Sequence, residues 1–330
     1  MIRSLYYSSQ RKIETGLALG DYQHALKDEN GLLWVDFQGT PPESDEPILR
    51  EVFGFHPLAI DDALQESHIP KLDDWADYLY IVLHSVTFNG ELGQEEVGTL
   101  ELDIFLGNNY LVTHHDQPIS SIDRLWDSGL RDVRRLESGP DYLLYWLIDE
   151  LVASYMPVIE EIDNAIDLAE DKVFADPTPD TLERILALKR SALHLRRIIG
   201  PQREVLNKLA RDDYRVIDVA ARIYFRDVYD HLVRMQDITE SIRDMVSSTL
   251  ETYLSVINNR MNDIMKTLTV ITTIFMPIAF LTSFFGMNFF QPVVPALDAW
   301  TRMPAFVITM VLMILSPIGM LVWMRRRGWM

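Results

Sequence analysis

Two uncharged apolar runs near the C-terminus constrain this chain more than any other feature. Leu268–Phe285 and Met303–Met324 contain no Asp, Glu, Lys or Arg and consist mostly of aliphatic and aromatic residues. A run of about 18 or more such residues is long enough to cross the hydrocarbon core of a bilayer as a helix. The two runs are joined by a short connection, so they read as a hairpin in a membrane. Arg260 and Lys266 precede the first run and Arg325, Arg326 and Arg327 follow the second, whereas the connection carries only Asp298 and Arg302. Lys and Arg beside membrane spans favour the cytoplasmic side. Both termini are therefore expected in the cytoplasm and the connection outside.

The formal net charge of the 330 residues is −19 although the end of the chain is basic, so the acid lies upstream of the two runs. That balance argues against nucleic acid, whose phosphates need clustered Lys and Arg. It suits a solvated acidic surface or cation binding. The chain has no cysteine, which excludes disulfides and thiolate metal sites. Met1–Tyr7 lacks the apolar core of a signal peptide, so the upstream portion is expected in the cytoplasm.

Residues 1–138 read as a mixed α/β domain. Leu32–Phe37, Tyr78–Leu83 and Leu100–Leu106 are β-rich runs, Tyr110–Thr113 pairs back as a hairpin, and Pro57–Glu66 is a short helix. Residues 139–215 are helical. Leu143, Leu144, Leu147, Leu151, Tyr155, Ile159, Ile162 and Ile166 recur at helical spacing, with Pro157 as a kink, and Thr181–Arg211 follows with an interruption near Gly200-Pro201. No Gly or Pro occurs between Pro201 and Pro277. An apolar stripe from Ile223 to Leu268 predicts one helix from about Val216 to Gly286, on the order of 100 Å long at about 1.5 Å per residue. It divides into a stalk over 216–267 and a first span over 268–286. An outer loop over 287–302, a second span over 303–324 and a basic tail over 325–330 complete the chain.

At the outer end of the first span stand Gly286, Met287 and Asn288. Gly286 suits a helix stop. In a symmetric oligomer, one Asn288 per subunit would form a ring of carboxamide oxygens. Such a ring accepts hydrogen bonds from water held by a cation without stripping that water, which suits Mg2+. An ordinary helix stop reads the same on three residues alone.

A wider set of segments resembles the CorA family of magnesium transporters: Gly54–Leu58, Asp141–Tyr145, Tyr224–His231, Met265–Thr269, Ile274–Pro277, Phe285–Phe289 and Arg325–Trp329. The resemblance implies an α+β fold in which a cytoplasmic α/β domain and a long stalk helix lead to two transmembrane helices. It implies a funnel-shaped homopentamer in the inner or plasma membrane. By that resemblance Gly286, Met287 and Asn288 form the selectivity filter. Asn262, Met265, Leu268, Thr272, Met276, Ala279 and Ser283 line the pore. Met276, Leu268 and Met265 form apolar constrictions, which gate by dewetting. Asp227 on the stalk, with Asp61 and Asp62 on the short helix, would bind Mg2+ between subunits and close the channel when cytoplasmic Mg2+ is plentiful. A solvated helix face is the plainer reading of the three acids. The chain departs from the family at Phe285, usually Tyr, at Ala279, a Thr in some members, and in its weakly acidic outer loop.

The histidines show no metal-ligand spacing: His114 and His115 are adjacent in a predicted strand and point to opposite faces. No catalytic triad or phosphate-binding Gly loop is visible, so the expectation is a transporter and not an enzyme. Mg2+ is the favoured cargo, with Co2+ or Ni2+ admitted. Zn2+ transport within the same superfamily, or a non-conducting membrane-anchored scaffold, are the alternatives.

Overall fold

A computed structural model of the chain describes residues 1–65, 69–89, 96–287 and 303–328. Asn288 and the rest of the expected outer loop lie outside them. The chain divides into two compact units, Met1–Thr252 and Tyr253–Met330.

The first unit is built on a seven-stranded mixed sheet. The strands are β1 (Ile2–Tyr7), β2 (Ile13–Thr15), β3 (Leu32–Gln38), β4 (Lys71–Asp74), β5 (Leu79–Asn89), β6 (Glu96–Leu106) and β7 (Tyr110–His115). Their order is β2-β1-β3-β7-β6-β5-β4. Only β3 and β7 pair in parallel; the other pairs are antiparallel, with β6–β7 the expected hairpin. Alternation along the strands sends Leu33, Val35, Phe37, Tyr80, Val82, Phe105 and Val112 to one face. There they meet α1 (Leu19–Lys27) and α3 (Pro57–Leu64) through Tyr22, Ala25, Ala59, Ile60 and Ala63, and they also meet Ile48 and Leu49, which follow α2 (Pro42–Pro47).

The opposite face meets α4 (Ser120–Arg131), a single turn α5 (Arg134–Glu137), α6 (Pro140–Ala153), α7 (Tyr155–Ala175) and α8 (Pro179–Arg211). One buried carboxylate ties this side together. Asp36 is fully buried, receives the Arg3 Nε at 2.8 Å and the Thr113 hydroxyl, and stands 3.2 Å from His115 Nε2. Burial alone would raise its pKa; His115, Thr113 and Arg3 outweigh that and hold it below the ordinary carboxylate value. Arg3 also bonds Asp123 and covers the Trp126 ring at 4.5 Å, which fastens α4 to β1.

Three details of the helices differ from the sequence pattern. Pro157 does not kink a long helix: the chain breaks at Ser154, and Pro157 falls in the first turn of α7, where its missing N–H is no loss. Helix α8 runs unbroken through Gly200 and Pro201. Burial of Leu195, Ile198, Ile199, Val205, Leu206 and Leu209 offsets the roughly 3 kcal/mol of an interior proline. The long helix α9 spans Arg222–Phe285 and starts at Arg222, not Val216. The Asp218 carboxylate accepts from the Ala220 N–H, and Asp141 accepts from the Asp218 N–H, which holds the preceding residues in turns. Helix α9 has 64 residues, about 96 Å at 1.5 Å each, and Pro277 is its one proline.

The second unit comprises the C-terminal part of α9 and helix α10 (Met303–Arg326). Among the described residues, three helical stretches are long and apolar enough to cross a membrane: Pro140–Ala175, within α9, and Phe306–Arg326. More than half of the first apolar window is buried inside the protein, which makes α6 and α7 core helices; none of the other two windows is buried.

Beyond Val82, where pairing with β4 ends, the edge of β5 is closed by side chains. Gln202 Oε1 accepts from the His84 N–H at 3.1 Å and from the Tyr155 hydroxyl at 3.0 Å, and that hydroxyl lies 2.5 Å from the His84 carbonyl oxygen. All three groups are buried. Gln202→Met keeps the shape but strands the His84 N–H, so it should destabilise the unit by about 2 kcal/mol. Thermal unfolding of the full chain checks this, and an unchanged melting temperature would count against the closure.

Candidate functional site

Asn262, Met265, Leu268, Thr272, Met276, Ala279 and Ser283 follow one another at intervals of three or four residues and so share one face of α9. Every one of them is exposed in the single chain, Met265 and Leu268 at 56% and Met276 at 69%. The residues turned away from this stripe, Val270, Thr273, Ile274, Pro277, Ile278 and Leu281, are half-buried. Exposure therefore sets the stripe apart from the far side of the helix, and Asn262, Thr272 and Ser283 make the stripe partly polar.

The hydroxyls of this helix are spoken for. Thr269, Thr272, Thr273 and Thr282 donate to the carbonyls of Met265, Leu268, Thr269 and Ile278, four residues back, at 2.7, 2.8, 2.7 and 2.9 Å. Each polar group is thereby satisfied within its own helix. The Thr272 oxygen then presents only lone pairs outward, which suits a hydrated cation and not an anion. Pro277 has no N–H to give the Thr273 carbonyl, four residues back.

Helix α9 ends as the glycine predicts. The Gly286 N–H bonds the Thr282 carbonyl at 2.9 Å and the Met287 N–H the Phe284 carbonyl at 3.4 Å, so the last turn tightens. A Cβ on Gly286 would lie 2.8 Å from the Thr282 carbonyl oxygen, closer than such atoms approach.

The three acids Asp61, Asp62 and Asp227 sit on separate elements, two on α3 and one on α9. Asp62 pairs with Lys71, which also stands 3.3 Å from Asp73. Asp61 accepts from Gln65 Nε2 at 2.9 Å. Asp227 is largely exposed and lies 3.9 Å from His231 Nε2. Among the described residues of one chain, no three acids or histidines gather closely enough to hold a metal ion. A cation bridge through these acids needs ligands from a second copy.

The sequence pattern overlooks Asp149. It sits on α6, half-buried, and burial raises its pKa; His231 opposes that, while Glu150 and Asp227 add to it. It thus joins the electrostatic neighbourhood of Asp227. The available signal was a pair of adjacent acids, Asp149 and Glu150, in the otherwise apolar run Leu143–Val152. The same region is knitted by rings: Tyr224 of α9 lies 5.5 Å from Tyr142 and 5.1 Å from Tyr145 of α6.

The model of the family described as CorA-like Mg2+ transporter protein matches residues 29–326. The cobalt/magnesium transport protein CorA of Thermotoga maritima is 36% identical over 270 residues, which cover 80% of this chain and 75% of that protein. The zinc transport protein ZntB of Yersinia pseudotuberculosis is 26% identical over 308 residues, covering 90% and 88%. The complete structure of the CorA magnesium transporter from Methanocaldococcus jannaschii superposes with a TM-score of 0.83 at 25% identity, over 99% of this chain and 98% of that one.

The crowding at Gly286 yields a direct test. Gly286→Ala must displace the end of α9, and the amides of residues 286 and 287 should then exchange with deuterium at least about tenfold faster, since one tight turn holds both. Unaltered exchange would show that the turn tolerates a side chain.

Proposed function

The chain belongs to the CorA-like Mg2+ transporter family, and on that premise we propose that five copies enclose one pore for divalent cations. The observation that carries this reading is the single uninterrupted helix α9, which bears the stripe from Asn262 to Ser283 and stops at Gly286. Five such helices about an axis would bring Met265, Leu268 and Met276 into apolar rings and Thr272 and Asn288 into acceptor rings. Apolar rings close a pore by excluding water. Acceptor rings bind an ion through the water it keeps, and Mg2+ keeps its water reluctantly exchanged. Mg2+ is accordingly the cargo, with Co2+ or Ni2+ admitted by the same chemistry. Moving one charge through about 100 mV yields about 2.3 kcal/mol, so a divalent ion entering a negative interior gains about 4.6. No nucleotide is required.

The protein would sit in the inner or plasma membrane with both termini in the cytoplasm, since the Lys and Arg residues flank the cytoplasmic ends of the two spans. Asp227 would meet Asp61 and Asp62 of a neighbouring copy. Like charges at close range repel, and a divalent cation offsets the repulsion. Cytoplasmic Mg2+ would thus hold the copies together and close the pore. A second reading is Zn2+ transport, favoured by the likeness to the zinc transport protein ZntB over most of both chains. Flux of Mg2+ and of Zn2+, each alone, into liposomes holding the purified protein separates the two, and liposomes tight to both would leave a scaffold.

Asn288→Ala should abolish Mg2+ uptake, by about a hundredfold or more if a full ring of charge-assisted acceptors is lost, while membrane insertion and the five-subunit mass in native mass spectrometry persist. Uptake equal to the parent's would remove Asn288 from the pore. The double replacement Asp62→Asn, Asp227→Asn should need several times more Mg2+ for closure and for protection of the stalk from protease. Overlaid curves for mutant and parent would mean the acids are a solvated face.

A further inference from the structure

One buried ionic cluster plays no part in the pore or among the sensor acids. Asp103 of β6 and His114 of β7 are partners in register on the face covered by α2 and α3. The imidazole lies between two carboxylates: its Nδ1 is 3.9 Å from Asp103 Oδ2 and its Nε2 is 3.5 Å from Asp45 Oδ2 of α2. The three side chains are 5%, 6% and 0% exposed. Each carboxylate has a hydroxyl donor of its own, Tyr80 for Asp103 and Thr40 for Asp45, both at 2.6 Å. His114 Nδ1 and Asp45 Oδ1 have no hydrogen-bond partner among the described residues.

A cavity of about 70 Å3 adjoins the cluster, lined by Asp103, His114, Glu101, Asp116, Ala63 and Leu64. It has room for a few waters, which is what proton exchange with the solvent requires. The other charges near Asp103 are few. Glu101 lies two residues away on the same strand face, 3.6 Å from His84 of β5. Lys71 of β4 stands over the Tyr80 ring at 5.1 Å and is paired with Asp62 of α3 and Asp73.

We infer that Asp103, His114 and Asp45 form a proton-binding site, and that its occupancy adjusts how strongly α3 holds a divalent cation. The second half rests on the reading of Asp61 and Asp62 as sensor acids. Two buried carboxylates facing one imidazole leave one negative charge in excess, so one proton is shared out near neutral pH. Burial pushes Asp103 up to about 6, although His114 and Tyr80 oppose the shift. Burial would lower His114, but Asp103 and Asp45 push it up to about 9. His114 therefore stays cationic through the neutral range, and Asp103 is the group that gains and loses the proton. Ionised Asp103 adds a negative charge beneath α3, whose Ala63 and Leu64 wall the cavity beside Asp62. A cation on Asp61 and Asp62 is then favoured as pH rises.

The sign for stability follows. Asp103 has a folded pKa above its ordinary value, so its contribution is complete below about pH 4 and is lost as pH rises through about 6. Asp103→Asn keeps an acceptor for the Tyr80 hydroxyl and cannot titrate. In full-length protein in detergent, the melting temperature of D103N should rise relative to the parent's between about pH 4.5 and 7.5. Parallel curves overturn the proton site. Should D103N not fold, His114→Gln serves, since losing the imidazolium moves the parent's transition to higher pH; an unmoved transition is equally fatal.

The coupling is read from the MgCl2 needed for half-protection against protease. The parent should need at least about threefold less at pH 7.5 than at pH 5.5. His231 stands 3.9 Å from Asp227 and is untouched by the replacement, so D103N should show a smaller ratio, and an equal ratio in the two proteins overturns the coupling. A parent with no such pH dependence overturns the coupling. MgCl2 that protects neither protein overturns the sensor reading and the coupling with it, while the melting curves still decide the proton site.

Discussion

Apolar surface with nothing over it governs what the C-terminal helices require. Leu268, Ile271, Phe275, Met276 and Phe280 of α9, and Phe306 to Trp323 of α10, carry large side chains more than a third exposed in the single chain. Leaving one such side chain in water instead of burying it costs about 1.5–3 kcal/mol. The sum over two helices far exceeds the 5–15 kcal/mol by which a domain is stable. Lipid removes that cost, as would neighbouring copies in the proposed assembly. The backbone imposes the same choice, because only helices and closed barrels satisfy all their hydrogen bonds inside a bilayer. The Thr hydroxyls bonded back to carbonyls, and the tightened turn at Gly286, are local answers to that demand.

The first unit meets the opposite problem. Its sheet is covered on both faces, so polar groups caught inside must find partners there. Asp36 takes Arg3, Thr113 and His115 on one face. Asp103, His114 and Asp45 gather on the other. Adjacent histidines on β7 supply both clusters because successive strand residues alternate faces.

The two apolar helices and the length of α9 were legible because their signals are long: two uncharged runs, and a stretch from Gln202 to Met276 without Gly or Pro. The family too was legible from its motifs. Short elements were not. Strands β2 and β4 and helix α2 have only three, four and six residues, and tertiary partners decide them, as they do β1, α1 and α4. Pro201 misled for the same reason, since its cost is local and the burial around it is not. Asp149 and Asp103 were invisible as functional candidates because their character comes from residues distant in sequence: Asp227 and His231 for the one, His114 and Tyr80 for the other. Asn288, expected in the selectivity filter by the family resemblance, lies outside the described residues.

Helix α9 has one more property, mechanical and not chemical. A helix without glycine over 64 residues bends little, because every turn is closed by hydrogen bonds. Pro277 removes one of them, from the Thr273 carbonyl. The turn between these residues is the softest joint in an otherwise stiff rod, and it lies directly beside Met276. Flexure concentrated at that joint would turn Met276 more than any other side chain of the stripe, and in the proposed pore it would act on that one ring alone.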